Sequence, residues 1–186
     1  MAARSDKDVR VRLQQAALDL FGERGYDRTT AAEIAARAGV TERTFFRHFP
    51  DKREVLFDGE ARLSALLTAS VADAPRELSP LSTLFRAFHA AVPTLEGNRP
   101  FAKPRYDVIA ATPPLLEREL AKTAALSDAL TGALTARGVP ALAAALAART
   151  GMAAFVQSIV AWLGDPAMGL AERLDRAFGE LRSLLA

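Results

Sequence analysis

One short stretch of the chain, residues 41–52 with the sequence TERTFFRHFPDK, concentrates side chains suited to contacting nucleic acid. Arginine can donate two hydrogen bonds to guanine O6 and N7, threonine can contact a thymine methyl, and glutamate can accept from cytosine N4. Lysine, arginine and histidine can also neutralise backbone phosphates, which positions a protein without reading sequence. The stretch therefore predicts a DNA-contacting surface.

Local signals predict helices that would position this stretch. Apolar spacing indicates a first helix over residues 7–24, and Thr30-x-x-Glu33 is a capping box that starts a second. Gly39 closes the second helix, because the turn needs a residue that tolerates positive φ, and Thr41 caps a third. A helix, a glycine turn and a helix after a supporting helix form the helix-turn-helix pattern. The alternative is an ordinary three-helix packing unit.

The rest of the chain also predicts helices, with no credible strand signal. Asp51-x-x-Glu54 is a second capping box and predicts a long fourth helix that continues to about Val71. Residues 96–104 contain two prolines, a glycine and an asparagine, and predict a loop or a broken helix. The expected fold is all-α with about nine helices: a helix-turn-helix domain over residues 1–53 and a second helical domain over residues 54–186. The remaining predicted helices cover about residues 80–95, 105–111, 113–137, 140–163 and 170–185.

Composition and charge bound the class of protein. The chain has 186 residues, of which 50% are hydrophobic and 25% charged, as in a soluble globular protein. Residues 1–53 carry 11 Lys and Arg against 8 Asp and Glu, whereas the remainder carries 13 against 14, so the positive excess lies at the N-terminus. No secretory signal is visible and the longest uninterrupted apolar stretches are too short to span a bilayer. We expect a cytoplasmic protein without a membrane partner.

The residue sets of catalysis are not visible in the sequence. The chain contains two histidines far apart, no cysteine, no glycine-rich phosphate loop and no G-x-S-x-G elbow. The carboxylates are scattered, mostly at helix caps and on polar faces. We therefore expect neither an enzyme nor a cofactor or metal site.

The first third of the chain resembles the DNA-binding domain of the tetracycline-repressor (TetR) family of transcriptional regulators. Residues 108–120 (VIAATPPLLEREL) are similar to a group common among actinobacterial regulators of that family. The resemblance implies a helical C-terminal domain that binds small molecules and dimerises. It is carried by Leu20-Phe21, Gly25-Tyr26, Thr29-Thr30, Ile34-Ala35, Ala38-Gly39-Val40, Phe45, His48-Phe49, Lys52 and Leu56-Phe57.

The resemblance also implies which residues read bases. Glu42, Arg43 and Thr44 are the expected base-reading residues, with Arg43 foremost. Family members often carry tyrosine at the position of Phe46 or Arg47 and use its hydroxyl on phosphate; here Arg47 is expected to supply the charge instead. Phe46 either contacts a sugar or a thymine methyl, or simply packs.

Other residues of the helix-turn-helix are expected on phosphates. Lys52 is placed in the first turn of the fourth helix, where the helix N-terminus attracts phosphate. Thr41 is expected to reach a phosphate besides capping. The other expected phosphate contacts are Thr29, Thr30, Arg47 and His48.

The C-terminal expectations rest on the family. The eighth and ninth helices are the expected dimer interface, through Phe155, Ile159, Leu174, Phe178 and Leu181, although for any one of these the intramolecular core is an equal alternative. A largely apolar small-molecule pocket is expected on helices that line the cavity in the family, although an aromatic stripe is more often plain core. Its candidate residues are Phe85, Phe88, His89, Arg105, Tyr106, Phe155, Gln157 and Trp162.

Together these patterns favour a ligand-responsive DNA-binding regulator. The expected protein is a repressor that binds a palindromic double-stranded operator as a homodimer and is released by an unknown, largely apolar small molecule. The alternatives are an activator of the same fold and a ligand-independent architectural DNA binder. The predicted signal path is the fourth helix, expected to run without a break from the pocket to Lys52.

Overall fold

A computed structural model describes the backbone of residues 2–184 and the side chains of residue 6 and residues 8–184. In this range all regular structure is helical, which confirms the all-α prediction. Nine helices lie between residues 2 and 184: α1 (Ala2–Arg24), α2 (Ala31–Arg37), α3 (Glu42–His48), α4 (Glu60–Ala72), α5 (Pro80–Gly97), α6 (Arg99–Ala110), α7 (Pro113–Ala136), α8 (Ala141–Gly164) and α9 (Leu170–Leu184).

The chain forms two compact units whose limits differ from the predicted division after residue 53. The first unit contains the residues as far as Gly59 together with Pro100–Arg118, and the second contains Glu60–Arg99 and the residues from 119 onward. The difference has a simple cause: Val55, Leu56 and Phe57 are buried in the core of the first unit, where Ile109 and Leu115 join them. The chain therefore crosses between the units three times.

The predicted long fourth helix is wrong in its start. Residues 51–59 form turns, and α4 begins only at Glu60, after Gly59 with φ of 100°. Three successive apolar residues, 55–57, are all buried, which one face of a helix cannot achieve because neighbours lie about 100° apart around the axis. Asp51 accepts hydrogen bonds from the backbone N–H of Arg53 and Glu54, as a cap does, but a salt bridge to Arg118 engages the Glu54 side chain.

Residues 96–104 form a broken helix, which is the second of the two predicted alternatives, and not a loop. α5 continues through Pro93 to Gly97, and α6 begins at Arg99. Pro100 occupies the first turn of α6, where a helix needs no backbone N–H donor and tolerates proline. Proline content alone therefore misplaced the start of α6.

The first unit is built on α1, α2 and α3. Leu13, Leu20, Ile34, Phe45 and Phe49 are almost fully buried in one apolar cluster. Gly39 takes φ of 69° in the turn between α2 and α3, as its position predicted. The turn sets the direction in which α3 leaves α2.

The second unit is organised around α8, which packs against α5 and α9. Among the described residues, α8 is the one helix whose length and mean hydropathy of 1.3 would suit a membrane span, with 44% of that window buried inside the protein. Uninterrupted apolar runs did not predict this, because Arg149 and Gln157 break the runs without lowering the average enough. A helix that is apolar all round needs partners on more than one face.

Candidate nucleic-acid interface

Two buried phenylalanines set the rotation of α3. Phe45 and Phe49 are 0% and 1% exposed, and their ring centroids lie 5.8 Å apart. Thr41 begins the helix as its N-cap, where its hydroxyl oxygen accepts a hydrogen bond of 3.2 Å from the backbone N–H of Thr44. With Phe45 and Phe49 fixed in the core, the opposite face of α3 must point away from it.

The outward face of α3 presents the expected reading residues. Thr41, Glu42, Arg43, Phe46 and Arg47 are exposed, and the neighbouring Thr44 is half-buried. A surface depression of ≈ 520 Å³ lies on this face. It is lined by Thr41, Arg43, Thr44, Phe46 and Arg47.

The charges of the first unit are distributed unevenly. Several of its arginines are neutralised within the protein: Arg10 by Asp58 at 2.7 Å, Arg24 by Glu33 at 2.7 Å and Arg37 by Glu23 at 2.8 Å. By contrast, Arg43 and Arg47 form no salt bridge with any residue whose side chain the structure describes. The exposed face of α3 therefore carries two guanidinium groups whose charge no described side chain neutralises.

The capping box of α2 forms as predicted. The backbone N–H of Thr30 donates to Glu33 at 2.9 Å, and the hydroxyl of Thr30 accepts from the backbone N–H of Glu33. The hydroxyl of Thr30 also donates to the Glu33 carboxylate at 2.9 Å. The hydrogen bond from the Thr30 backbone N–H, and then the one from its hydroxyl, hold the pKa of Glu33 below its ordinary value. Thr30 remains exposed at the start of α2, in a position where it can meet a phosphate.

Two expected phosphate contacts are buried instead. Thr29 is 1% exposed, and its hydroxyl donates to the backbone carbonyl of Gly25 at 2.9 Å, which completes the end of α1. The side chain of His48 is 3% exposed, and its Nε2 lies 3.4 Å from a carboxylate oxygen of Asp6. His48 follows Phe45 by three residues and therefore shares the inward face of the helix. Neither side chain is therefore exposed for the phosphate contact that the sequence predicted.

Lys52 does not lie in the first turn of a helix. Its Nζ donates to the backbone carbonyls of Tyr26 and Thr29, each at 2.9 Å, and lies 4.2 Å from the centroid of the Tyr26 ring. Burial raises the pKa of the Tyr26 hydroxyl above its ordinary value. The ammonium group of Lys52 thus ties the segment after α3 to the turn that precedes α2.

The expected pocket residues do not form one set. Arg105 and Tyr106 belong to the first unit, where Arg105 donates to the carbonyl of Leu56. In the second unit, Phe88 stacks on Phe155 with centroids 4.3 Å apart and planes at 8°. Phe85 and His89 join this stack through Phe178, whose ring centroid lies 5.1 Å from that of Phe85 and 6.1 Å from that of Phe88. Trp162 is buried beneath Arg99, and Gln157 is exposed.

Most of the expected dimer residues lie inside the protomer. Phe155, Leu174 and Phe178 are 1%, 0% and 2% exposed, so they are core residues and cannot meet a partner. Ile159 and Leu181 are half-buried. The exposed large apolar residues of α8 are instead Leu142 at 74% and Leu146 at 58%.

Sequence reasoning missed the partner of Lys52 and the exposed leucines of α8. Tyr26 gave no signal, because the carbonyl that accepts from Lys52 belongs to the backbone. Leu142 and Leu146 follow each other by four residues in an alanine-rich helix, and this spacing does indicate a stripe. The buried set of α8 is also apolar, so the sequence did not show which stripe faces outward.

The order of α1, α2 and α3, with a glycine turn and an outward basic face on α3, is the arrangement of a helix-turn-helix DNA-binding domain. Comparison with known families agrees. The model of the bacterial regulatory proteins of the tetR family matches residues 13–58. Residues 13–58 are therefore similar to the N-terminal domain of TetR-family regulators.

Relatives and solved structures of this family match the chain. The regulator TcmR of Streptomyces glaucescens is 36% identical over 84 residues, which cover 45% of this chain and 37% of TcmR. FadR of Thermus thermophilus, a TetR-family repressor solved with lauroyl-CoA, has a TM-score of 0.57 at 28% identity over 95% of this chain and 93% of FadR. SmeT of Stenotrophomonas maltophilia, solved with triclosan, has a TM-score of 0.66 at 23% identity over 92% and 90% of the two chains and shows the fold alone. The aligned region spans little more than a third of the curated relatives' length.

The hydrogen bonds of Lys52 predict a role in stability. Lys52→Met removes two charge-assisted hydrogen bonds, and we expect the free energy of unfolding to fall by about 1–2 kcal/mol because the site is partly exposed. Arg53→Met is the matched control, since Arg53 pairs with Asp51 on the surface and should contribute less than about 0.5 kcal/mol. Urea unfolding of both variants measures the difference. An unchanged stability with a shallower salt dependence of DNA binding would show that Lys52 is a phosphate contact after all.

Proposed function

We propose that this chain is a ligand-responsive, DNA-binding regulator that represses transcription by occupying a palindromic operator as a homodimer. The observation that carries the proposal is the outward face of α3, where Arg43 and Arg47 stand exposed beside Thr41 and Thr44. A helix of this width fits the major groove of B-DNA, where side chains can reach base edges. Repression requires no further surface, because occupancy alone blocks transcription.

The residues of this face take different roles. Arg43 lies at the centre of the outward face and suits bidentate contact with guanine, while Glu42 and Thr44 suit neighbouring bases. Arg47, one turn further along, suits the phosphate backbone, as do the exposed hydroxyls of Thr30 and Thr41. Sequence reading and positioning thus fall to different members of the set.

We expect Arg43→Ala and Arg47→Ala to have different effects on DNA binding. Arg43→Ala should cost about 1–3 kcal/mol on the specific operator and relax one base position, with little effect on random DNA. Arg47→Ala should weaken both and reduce the slope of log K against log salt by about 1 per half-site. Fluorescence anisotropy titrations at several salt concentrations measure both quantities.

The control for both variants is Arg76→Ala, which removes an equal charge from an exposed site in the second unit. If Arg43→Ala weakened operator and random DNA equally, the base-reading role would be wrong. A loss in the Arg76 variant as large as in the Arg47 variant would show that net charge alone governs binding.

The homodimer is proposed through the outward stripe of α8. The buried stripe of this helix packs inside the second unit and includes Gly151 and Phe155. About half a turn away around the axis, Leu142, Leu146 and Ala153 are exposed and form a second stripe. Exposure of such a stripe to water is unfavourable, and a second copy of the same helix could cover it by two-fold pairing. This stripe replaces the buried residues first expected at the interface.

Leu146→Glu should convert the dimer to monomer. A carboxylate at the centre of an apolar interface would be left without a partner, and we expect the dimer dissociation constant to rise at least about 30-fold. Leu120→Glu on α7 is the control, because Leu120 is 62% exposed and lies outside the stripe. Sedimentation equilibrium measures the association of both variants. A stable dimer in the Leu146 variant, or dissociation in the Leu120 variant, would place the interface elsewhere.

A small-molecule effector is proposed from the similarity to regulators solved with compounds that contain a large apolar group. FadR was solved with lauroyl-CoA and SmeT with triclosan. The aromatic residues of the second unit, Phe85, Phe88, Phe155 and Trp162, supply apolar surface for such a compound. Because α4 starts at Glu60, the signal does not run along one helix from an effector site to Lys52. We propose that it passes instead through the three crossings of the chain between the units.

Linkage provides the test of effector control. A compound that lowers operator affinity by a given factor must bind the operator complex more weakly by the same factor. Lauroyl-CoA and triclosan serve as the first probes, with calorimetric titration of the full chain in the presence and absence of operator. If neither these nor any member of an apolar compound library changes operator affinity, the ligand-independent reading is favoured. A compound that binds tightly and equally in both states would not be the effector.

A further inference from the structure

We propose that Phe46 is a specificity-determining residue that reads the C5-methyl group of a thymine in each operator half-site. The inference rests on the proposed function and adds the identity of one base and the contact that selects it. It concerns a side chain that lacks any polar atom, on a face whose other members are polar.

Phe46 is exposed to a degree that no other aromatic residue of the chain shares. The chain contains 10 Phe, 2 Tyr and 1 Trp, all with described side chains. Phe46 is 50% exposed, whereas the other aromatic residues are buried or half-buried. Burial of an exposed phenyl ring against an apolar surface is favourable in proportion to the apolar area removed from water. Its position on the outward face of α3 makes DNA the surface that it meets.

The ring is held in place by its neighbour in the core. Phe46 meets Phe45 edge to face, with centroids 5.4 Å apart and planes at 87°. Because Phe45 is fully buried, the contact braces the inner edge of the Phe46 ring and leaves the rest of the ring outside. A braced aromatic ring loses little conformational entropy on binding and can act as a rigid probe.

The position of Phe46 on the helix places it beside the proposed base readers. Phe46 follows Arg43 by three residues and Glu42 by four, so these three side chains are neighbours on the surface. Arg43 and Phe46 both line the surface depression on α3, together with Thr41, Thr44 and Arg47. A side chain at this position therefore reaches the groove floor when Arg43 does.

The chemistry of the groove then selects the contact. Phenylalanine has no hydroxyl, so it cannot donate a hydrogen bond to a phosphate or to a base edge. The apolar group that the major groove displays is the C5-methyl of thymine, and phenylalanine is among the side chains suited to it. A deoxyribose contact would bury the ring as well, but it would carry no information about the base.

Uracil provides the test, because it differs from thymine only by the missing methyl. The operator probe is a duplex selected by the full chain from a random-sequence pool, and each thymine is then replaced singly by deoxyuridine. At one position per half-site we expect affinity to fall about fourfold, from about 0.8 kcal/mol for one buried methyl, and about fifteenfold when both half-sites are replaced. Replacement of the other thymines should leave the affinity unchanged.

The variants assign the effect to Phe46. Phe46→Ala should bind the thymine operator more weakly and lose the preference for thymine over uracil at that position. Phe46→Leu, which retains apolar surface, should keep part of the preference. Leu120→Ala, an exposed apolar residue of the second unit, should behave like the unaltered chain.

Each remaining outcome overturns the inference. If Phe46→Ala weakened thymine and uracil duplexes equally, the ring would contact sugar or serve packing only. A thymine preference that persists in Phe46→Ala would belong to another side chain, such as Thr44. If the chain selects an operator but no deoxyuridine position matters, the inference fails while the proposed function stands. If no duplex is selected from the pool, both fail.

Discussion

The burial of Phe45 and Phe49 is the constraint on which the DNA-facing surface depends. α3 has seven residues, too few to hold its orientation by backbone hydrogen bonds alone. Two aromatic rings four residues apart anchor it in the core and fix its rotation, so that Arg43 and Arg47 must face outward. The Thr41 cap and the tie from Lys52 to the turn before α2 then fix its ends. The outward position of the proposed DNA-contacting residues is thus a consequence of packing behind the helix.

The sequence predicted this unit well where its signals are local. Thr30 with Glu33, Gly39 and Thr41 act within a few residues of themselves, and each lies where its spacing indicated. The same rule failed at Asp51, because Glu54 pairs with Arg118, which is distant in sequence. Tertiary contacts of that kind leave no local pattern. Lys52 was misassigned for the same reason: its charge was visible, but the two carbonyls that bind it were not.

The second unit was harder to interpret because α8 is apolar on opposite sides. Periodicity identifies a helix with one polar face, but the outward face of α8 has only two exposed polar side chains, Arg149 and Gln157, among leucines and alanines, so it is weakly marked. Only the packing shows that Phe155 lies inside and Leu146 outside. The residues of this helix first expected at a dimer interface, Phe155 among them, lie on its buried face, so the proposed interface uses the opposite face. The packing of α5 against α8, which is a long-range contact, determines which of the two faces of α8 is buried.

That fit also bears on how an effector could act. Gly151 lies where α8 meets α5, and a β-carbon there would lie 3.1 Å from Leu84 and 3.5 Å from Phe88. Phe88 in turn stacks on Phe155, so the aromatic residues fill the space between the helices. An apolar compound that bound among them would have to separate the stack. Because ligand binding would then require a rearrangement, the apparent affinity would fall as the population of the open form falls. Such a rearrangement would supply the two states between which the proposed effector must discriminate.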